Sequence, residues 1–136
     1  MTVTYPELRT GTVGEAMTPG ILTCLPVTPL RVVARMMVRH RVHAIVVFGT
    51  DDNLHPWGVV SDLDLIGAIG TEATAGAVAA SPVLTATTDL TLEHAAKLLT
   101  ENEATHLLVL ADTGLPIGVL STLDLARAFA AEPDPG

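Results

Sequence analysis

Two serine–aspartate pairs stand at the same spacing in near-identical settings. Ser61 and Asp64 lie in GVVSDLDL (Gly58–Leu65), and Ser121 and Asp124 lie in GVLSTLDL (Gly118–Leu125), six of whose eight positions agree. In each, an apolar strand pattern runs into a Ser that opens a helical pattern. Two uses of such a pair follow from its chemistry. In one, Ser and Asp form a capping box, each satisfying a free backbone N–H of the first helical turn. In the other, the free N–H groups and partial positive charge of the helix start receive a phosphate. The Ser hydroxyl then adds a hydrogen bond, and the Asp one turn on accepts two from a vicinal diol such as a ribose, at roughly 1.5–3 kcal/mol each. The two uses are compatible, because the Ser can cap while the site is empty.

Other candidate chemistry is weaker. His40 and His43 are three apart but straddle a helix end and a strand, with no Cys or carboxylate at ligand spacing, so no metal site is expected. Asp51-Asp52-Asn53 lacks the Gly and terminal Glu of a calcium loop and reads as a polar turn; His55 and His94 read as surface residues. Cys24 lies in an apolar run without a basic neighbour and reads as a buried structural thiol. Arg31, Arg35 and Arg39, at i, i+4 and i+8, form one helix face, either solvated or turned toward a partner or a phosphate. No phosphate-binding glycine loop and no Ser/His/Asp arrangement occurs, so no catalysis is expected. A formal charge of −8 weighs against nucleic acid as the main partner. No apolar run approaches the roughly 18 residues of a membrane span. The N-terminal residues have no leader pattern, and one Cys in the chain fits a reducing cytoplasm. With 49% apolar and 16% charged residues, a face is expected to be hidden in an oligomer.

These pairs are held by a tandem repeat. Shifting the 136-residue chain by 62 positions aligns Thr12, Gly14, Leu22, Thr23, Leu30, Ala34 and Val47 with Thr74, Gly76, Leu84, Thr85, Leu92, Ala96 and Val109. The offset then falls to 60, because the loop Gly49–Pro56 is two residues longer than its counterpart. Each copy predicts the order helix, strand, helix, strand, strand, helix: a short turn (Val13–Met17; Ala75–Ala79), an extended run (ILTCL; VLTAT), a helix, a buried strand (His43–Phe48; His106–Leu110), a second strand (Trp57–Val60; Pro116–Leu120) and a helix from Ser61 or Ser121. In copy one, Thr28 before Pro29 predicts a cap with Pro at the first helical position, and Val32, Val33, Met36 and Met37 predict the buried stripe. Residues 1–9 and 132–136 read as tails. A copy of about 60 residues is expected to bury its apolar face against the other.

The repeated unit resembles a pair of CBS domains, a Bateman module. The resemblance is carried by both strand-then-Ser-x-x-Asp endings, by the opening Thr12-Val13-Gly14-Glu15-Ala16-Met17-Thr18-Pro19, and by the stretch from His40 to Val47. It implies an α/β fold of two pseudo-twofold-related β-α-β-β-α units, CBS motif 1 over residues 10–70 and CBS motif 2 over 73–131, assembled as a homodimer. It implies a stand-alone regulatory sensor rather than an enzyme. No cofactor is required, and the regulatory ligand would be AMP, ADP, ATP or S-adenosylmethionine. In the family pattern the Asp holds the ribose hydroxyls and the Ser lies near the phosphate. Carried over, one cleft combines Thr12, Met17, Val42, His43 and Ala44 with Ser121 and Asp124, and the other combines Thr74, Ala79, Ala104, Thr105 and His106 with Ser61 and Asp64. An unidentified regulated protein would receive the signal. The alternative is a dimeric interaction scaffold with vestigial clefts, since the only Lys or Arg residues of copy two are Lys97 and Arg127. Asp62, which is Thr122 in the second copy, makes the Ser121 corner the better place for a phosphate.

Overall fold

The computed structural model describes residues 6–49 and 56–133; the Asp51-Asp52-Asn53 turn, His55 and the outer ends of both tails lie outside them. Along the described residues the elements are α1 (Val13–Ala16), β1 (Thr18–Pro19), β2 (Thr23–Cys24), α2 (Leu30–His40), β3 (Ala44–Phe48), β4 (Pro56–Ser61), α3 (Asp62–Gly67), α4 (Ala75–Val78), β5 (Thr85–Thr87), α5 (Leu92–Glu101), β6 (His106–Leu110), β7 (Pro116–Ser121) and α6 (Thr122–Ala130). This is a mixed α/β fold in which both copies carry the same internal order. Only β1, two residues long and half proline, has no counterpart in the predicted order.

The compact units are not the sequence copies. One unit comprises Ile21–Val83; the other joins the residues up to Gly20 to those from Leu84 on. Each copy's opening turn therefore belongs to the unit built by the other copy's strands. In the first unit the sheet order is β2-β3-β4, with β2 parallel and β4 antiparallel to β3. Its core holds Cys24, Val33, Met37, Ile45, Val47 and Val60, together with Ala75 from copy two's opening. In the second unit the sheet order is β1-β7-β6-β5. Its core holds Leu92, Ala95, Leu99, Leu107, Val109, Leu120 and Ala128, together with Val13 from copy one's opening.

Local physics fixes the ends of the elements. α2 buries Val33 and Met37 on one face, with Arg31, Arg35 and Arg39 exposed opposite. Val32, expected in the buried stripe, is 39% exposed, because a stripe of period 3.6 anchored at residues 33 and 37 leaves position 32 at its border. The predicted cap also differs. Pro29 is itself the residue before the helix, and the Thr28 hydroxyl turns back to accept from the Leu25 N–H at 3.0 Å. α2 and α5 both run into a left-handed residue, Arg41 (φ 54°) and Glu103 (φ 51°), at equivalent positions. There the chain closes the helix with Val42 N–H to Met37 O (3.1 Å) and Ala104 N–H to Leu99 O (2.9 Å) before entering β3 or β6. The β3–β4 and β6–β7 ladders carry their register shift at the same place, between Val47 and Phe48 and between Val109 and Leu110.

The exchanged openings are bound by backbone. Val13 N–H donates to Leu90 O (2.8 Å) and Gly14 N–H to Thr88 O (2.9 Å); in the other unit Ala75 N–H donates to Thr28 O (2.9 Å) and Gly76 N–H to Pro26 O (2.8 Å). Each opening then crosses the strand that leads to the Ser. β1 pairs with β7 at Val119 and Gly118, and Ala80 exchanges both hydrogen bonds with Val59. At those crossings a Cβ on Gly118 would come within 2.6 Å of Thr18 O, and one on Gly58 within 2.7 Å of Ala80 O. Both neighbours are backbone and cannot yield as a side chain would.

Two outcomes follow for urea denaturation. Gly118→Ala and Gly58→Ala each lower the unfolding free energy by about 1–3 kcal/mol, since the added methyl must push two paired backbones apart. Glu103→Gly acts in the opposite direction. Relief of the left-handed strain, about 1–2 kcal/mol, outweighs the entropy of the added glycine, about 0.5–1 kcal/mol. The midpoint therefore rises, and an unchanged or lowered midpoint contradicts the assignment of strain to that residue.

Candidate functional site

At the end of β7, Ser121 is the N-cap of α6. Its N–H donates to Asp124 Oδ2 (2.8 Å), its hydroxyl donates to the same oxygen (3.1 Å), and the Asp124 N–H donates to Ser121 Oγ (3.3 Å). The Asp124 side chain is 5% exposed, and a carboxylate buried that far needs compensating partners. One of them is cationic: Arg127 Nη1 donates to Asp124 Oδ1 at 3.4 Å from one helical turn on. Asp124 and Arg127 line a cavity of about 330 Å³ together with Glu15, Ala16, Met17 and Thr18 from copy one's opening. Thr12 stands at the start of that opening, its N–H and hydroxyl both 3.0 Å from Glu15 Oε1. The corner thus joins a buried carboxylate, a hydroxyl, an arginine and an apolar wall within one compact unit.

The matching corner of copy one is built alike and charged differently. Ser61 caps α3, giving its N–H to Asp64 Oδ2 (2.9 Å) and accepting the Asp64 N–H on Oγ (3.1 Å). Here it is Ser61 that is buried, while Asp64 is half-buried. Gly67 stands where copy two has Arg127. The adjacent nitrogen side chain is instead His43, whose Nδ1 lies 3.0 Å from Asp62 Oδ2. Both of those side chains are more than half exposed, so the pair adds little stability.

The first residue of each helix is tied to the residue that leads into the neighbouring strand, β3 or β6. Asp62 N–H donates to His43 O (2.9 Å), and Thr122 N–H to Thr105 O (3.0 Å). Ala44 stands opposite Ser61, and His106 stands opposite Ser121. The expected site residues are therefore distributed by unit as follows. Thr12 and Met17 share a unit with Ser121 and Asp124, and Thr74 and Ala79 share one with Ser61 and Asp64. Val42, His43 and Ala44 belong to the unit of Ser61, and Ala104, Thr105 and His106 to the unit of Ser121. Sequence reasoning did not single out Glu15 and Thr18. Arg127 appeared there only as a sparse cation, although its i+3 spacing from Asp124 was a usable signal.

Burial raises the Cys24 thiol above its ordinary pKa, and a hydrogen bond with the Thr28 side chain opposes the shift. That environment disfavours a thiolate. Among the described residues, no group of three or more His, Cys, Asp or Glu is placed to hold a metal ion, and no helix is long and apolar enough to cross a membrane.

Comparison with known proteins agrees with the fold. An uncharacterised protein of Methanopyrus kandleri is 25% identical over 126 residues, covering 88% of this chain; the chain spans 63% of that relative's length. The crystal structure of CBSX2 in complex with AMP is similar with a TM-score of 0.67 and 29% identity, covering 87% of this chain and 95% of that one. The CBS domain pair of protein MJ0100, in complex with 5′-methylthioadenosine and S-adenosyl-L-methionine, has a TM-score of 0.78 at 17% identity, covering 90% and 98%. The family description "CBS domain" matches residues 13–71 and 75–131, and with both copies so matched the chain belongs to the CBS domain family, as a tandem pair.

Proposed function

We propose that this CBS-domain pair is a regulatory module, without catalysis of its own, that binds an adenosine-containing ligand at the Ser121–Asp124 corner. The observation that carries the reading is the buried Asp124 carboxylate opening on the cavity beside Met17 and Thr18. A carboxylate there suits a ribose diol, the Ser121 hydroxyl and the start of the nine-residue α6 suit a phosphate, and the apolar wall suits a base. CBSX2 holds AMP and the MJ0100 pair holds two adenosine compounds, which supports the ligand class. The clefts drawn from the resemblance would add Thr12, Val42, His43 and Ala44 to this corner, and would set Thr74, Ala79, Ala104, Thr105 and His106 with Ser61 and Asp64 at the other. The second corner is the poorer phosphate site, because Asp62 adds a carboxylate where copy two has Thr122, Gly67 stands in place of Arg127, and α3 is only six residues long. Occupancy would reach a partner protein through the difference in ligand affinity between two conformations.

A homodimer in a reducing cytoplasm completes the reading. α3 exposes Leu63 and Ile66 (67% and 60%), with Ile69 just beyond it; α6 exposes Leu123 and Phe129 (49% and 67%). Leu63 matches Leu123 and Ile69 matches Phe129 in the repeat, so both copies present an apolar helix face that a second chain can cover.

Isothermal titration with AMP, ADP, ATP and S-adenosylmethionine tests the site. At least one compound binds, and Asp124→Asn weakens it at least about tenfold, a larger loss than Asp64→Asn produces. Binding that survives both substitutions removes the corner assignment, and no binding by any compound favours the scaffold reading. In sedimentation equilibrium the chain runs at twice its monomer mass, and Phe129→Glu shifts it toward the monomer.

A further inference from the structure

We infer that the homodimer is head-to-tail, with α2 of one chain packed antiparallel on α5 of a second copy. The inference rests on the reading of the chain as a homodimer and specifies which faces meet. Four of the seven Lys and Arg residues in a chain of charge −8 are gathered at α2: Arg31, Arg35, Arg39 and Arg41. The repeat sets Glu93, Lys97, Glu101 and Glu103 at the same four places of α5, so three of the four have changed sign between the copies. All eight residues are exposed, and among the described residues none of them makes an ion pair. Two of the charges also stand at the wrong end of their own helix. Arg31 lies in the first turn of α2, which holds no acidic residue, and Glu101 closes α5, whose last turn holds no basic one. Each opposes its helix macrodipole. Antiparallel packing answers both: the start of α2 lies beside the end of α5, so Arg31 meets Glu101 and Arg39 meets Glu93. Arg35 and Lys97, at mid-helix, are the one like pair. Packing α2 on α2 instead sets arginine against arginine, and α5 on α5 sets glutamate against glutamate. Exposed charge pairs add little affinity but select among alternative pairings. The two faces are continuous with the apolar ones that a second chain covers, since α2 packs on α3 and α5 on α6. Val38, exposed on the same face as Arg31 and Arg35, adds an apolar contact. In a twofold pair the contact is made twice, because α2 of each chain meets α5 of the other.

Sedimentation equilibrium of the full chain, as wild type, Arg31→Glu, Glu101→Arg and the double variant, tests the inference. Each single reversal sets like charges together twice per dimer and raises the dimer Kd about tenfold, and the double variant restores it to within about threefold of wild type. Added salt weakens the wild-type dimer and strengthens the dimer of either single variant. Loss of fold does not produce this pattern. Each reversal suits its own helix macrodipole, so urea midpoints read at dilutions where the chain is monomeric hold or rise. A Kd unchanged in either single variant, whether because like faces meet or because α2 receives an acidic partner protein instead, overturns the inference and leaves the homodimer standing. So do single variants that weaken the dimer with no rescue in the double. A wild-type chain that stays monomeric overturns the homodimer reading and the inference with it.

Discussion

The structure depends on one constraint: the opening segment of each copy must lie against the strands of the other, backbone to backbone. A short turn of four residues is not stable alone. It persists because its free N–H groups find carbonyls in the other copy, at Leu90 and Thr88 for α1 and at Thr28 and Pro26 for α4. It also inserts one side chain, Val13 or Ala75, into that copy's core with no exposure left. Glycine makes the approach possible. Gly14 and Gly76 face Thr88 and Pro26 at distances a side chain would close, and Gly58 and Gly118 do the same under the crossing segment. The glycine that begins both octapeptides, and the glycine two residues into both openings, recur for this steric reason.

From that constraint the corner follows. The crossing segment pairs with β7 only as far as Gly118 and Val119, so the last residues of the strand are free to run on to Ser121. The antiparallel ladder with β6 holds Ser121 in register opposite His106, and the Thr122 N–H locks onto Thr105 O. The helix then starts at a fixed point, and its capping pair is presented beside the end of α1. The hydrogen bonds that hold Asp124 against Ser121 also keep Asp124 aimed along the cavity.

Much of this was legible in the sequence, and the remainder was hidden for identifiable reasons. The repeat fixes the element order twice over, and both Ser-x-x-Asp pairs do cap helices. The compact units were not legible, because periodicity describes which face of an element is apolar and not which sheet buries it. Val13 reads the same whether it packs on copy one or on copy two. β1 escaped notice because two residues, one a proline, carry no alternation to detect. The Thr28-Pro29 cap failed because threonine had a nearer donor, the Leu25 N–H, and Pro29 with ψ 143° could serve as the flanking residue itself. Arg127 was visible but undervalued: its spacing on the helix places it over Asp124, and only the burial of that carboxylate gives the contact weight.

The two corners diverge through a few substitutions that reinforce one another. Gly67 in α3 costs about 1 kcal/mol of helix propensity relative to alanine, and α3 ends there after six residues. In α6 the same position is Arg127, flanked by Ala126, Ala128 and Ala130, and the helix continues to nine. The substitution that lengthens the helix therefore also supplies its cation. It allows Asp124 to be buried where Asp64 stays half-exposed, because a carboxylate leaves water only against a partner. Asp62 in place of Thr122 moves the first corner further in the same direction, with a second carboxylate beside the hydroxyl and an exposed histidine facing it. Duplication supplied two equal frames, and the charges laid on them differ: Arg127 stands against Asp124 in one, and Asp62 with His43 stands beside Asp64 in the other.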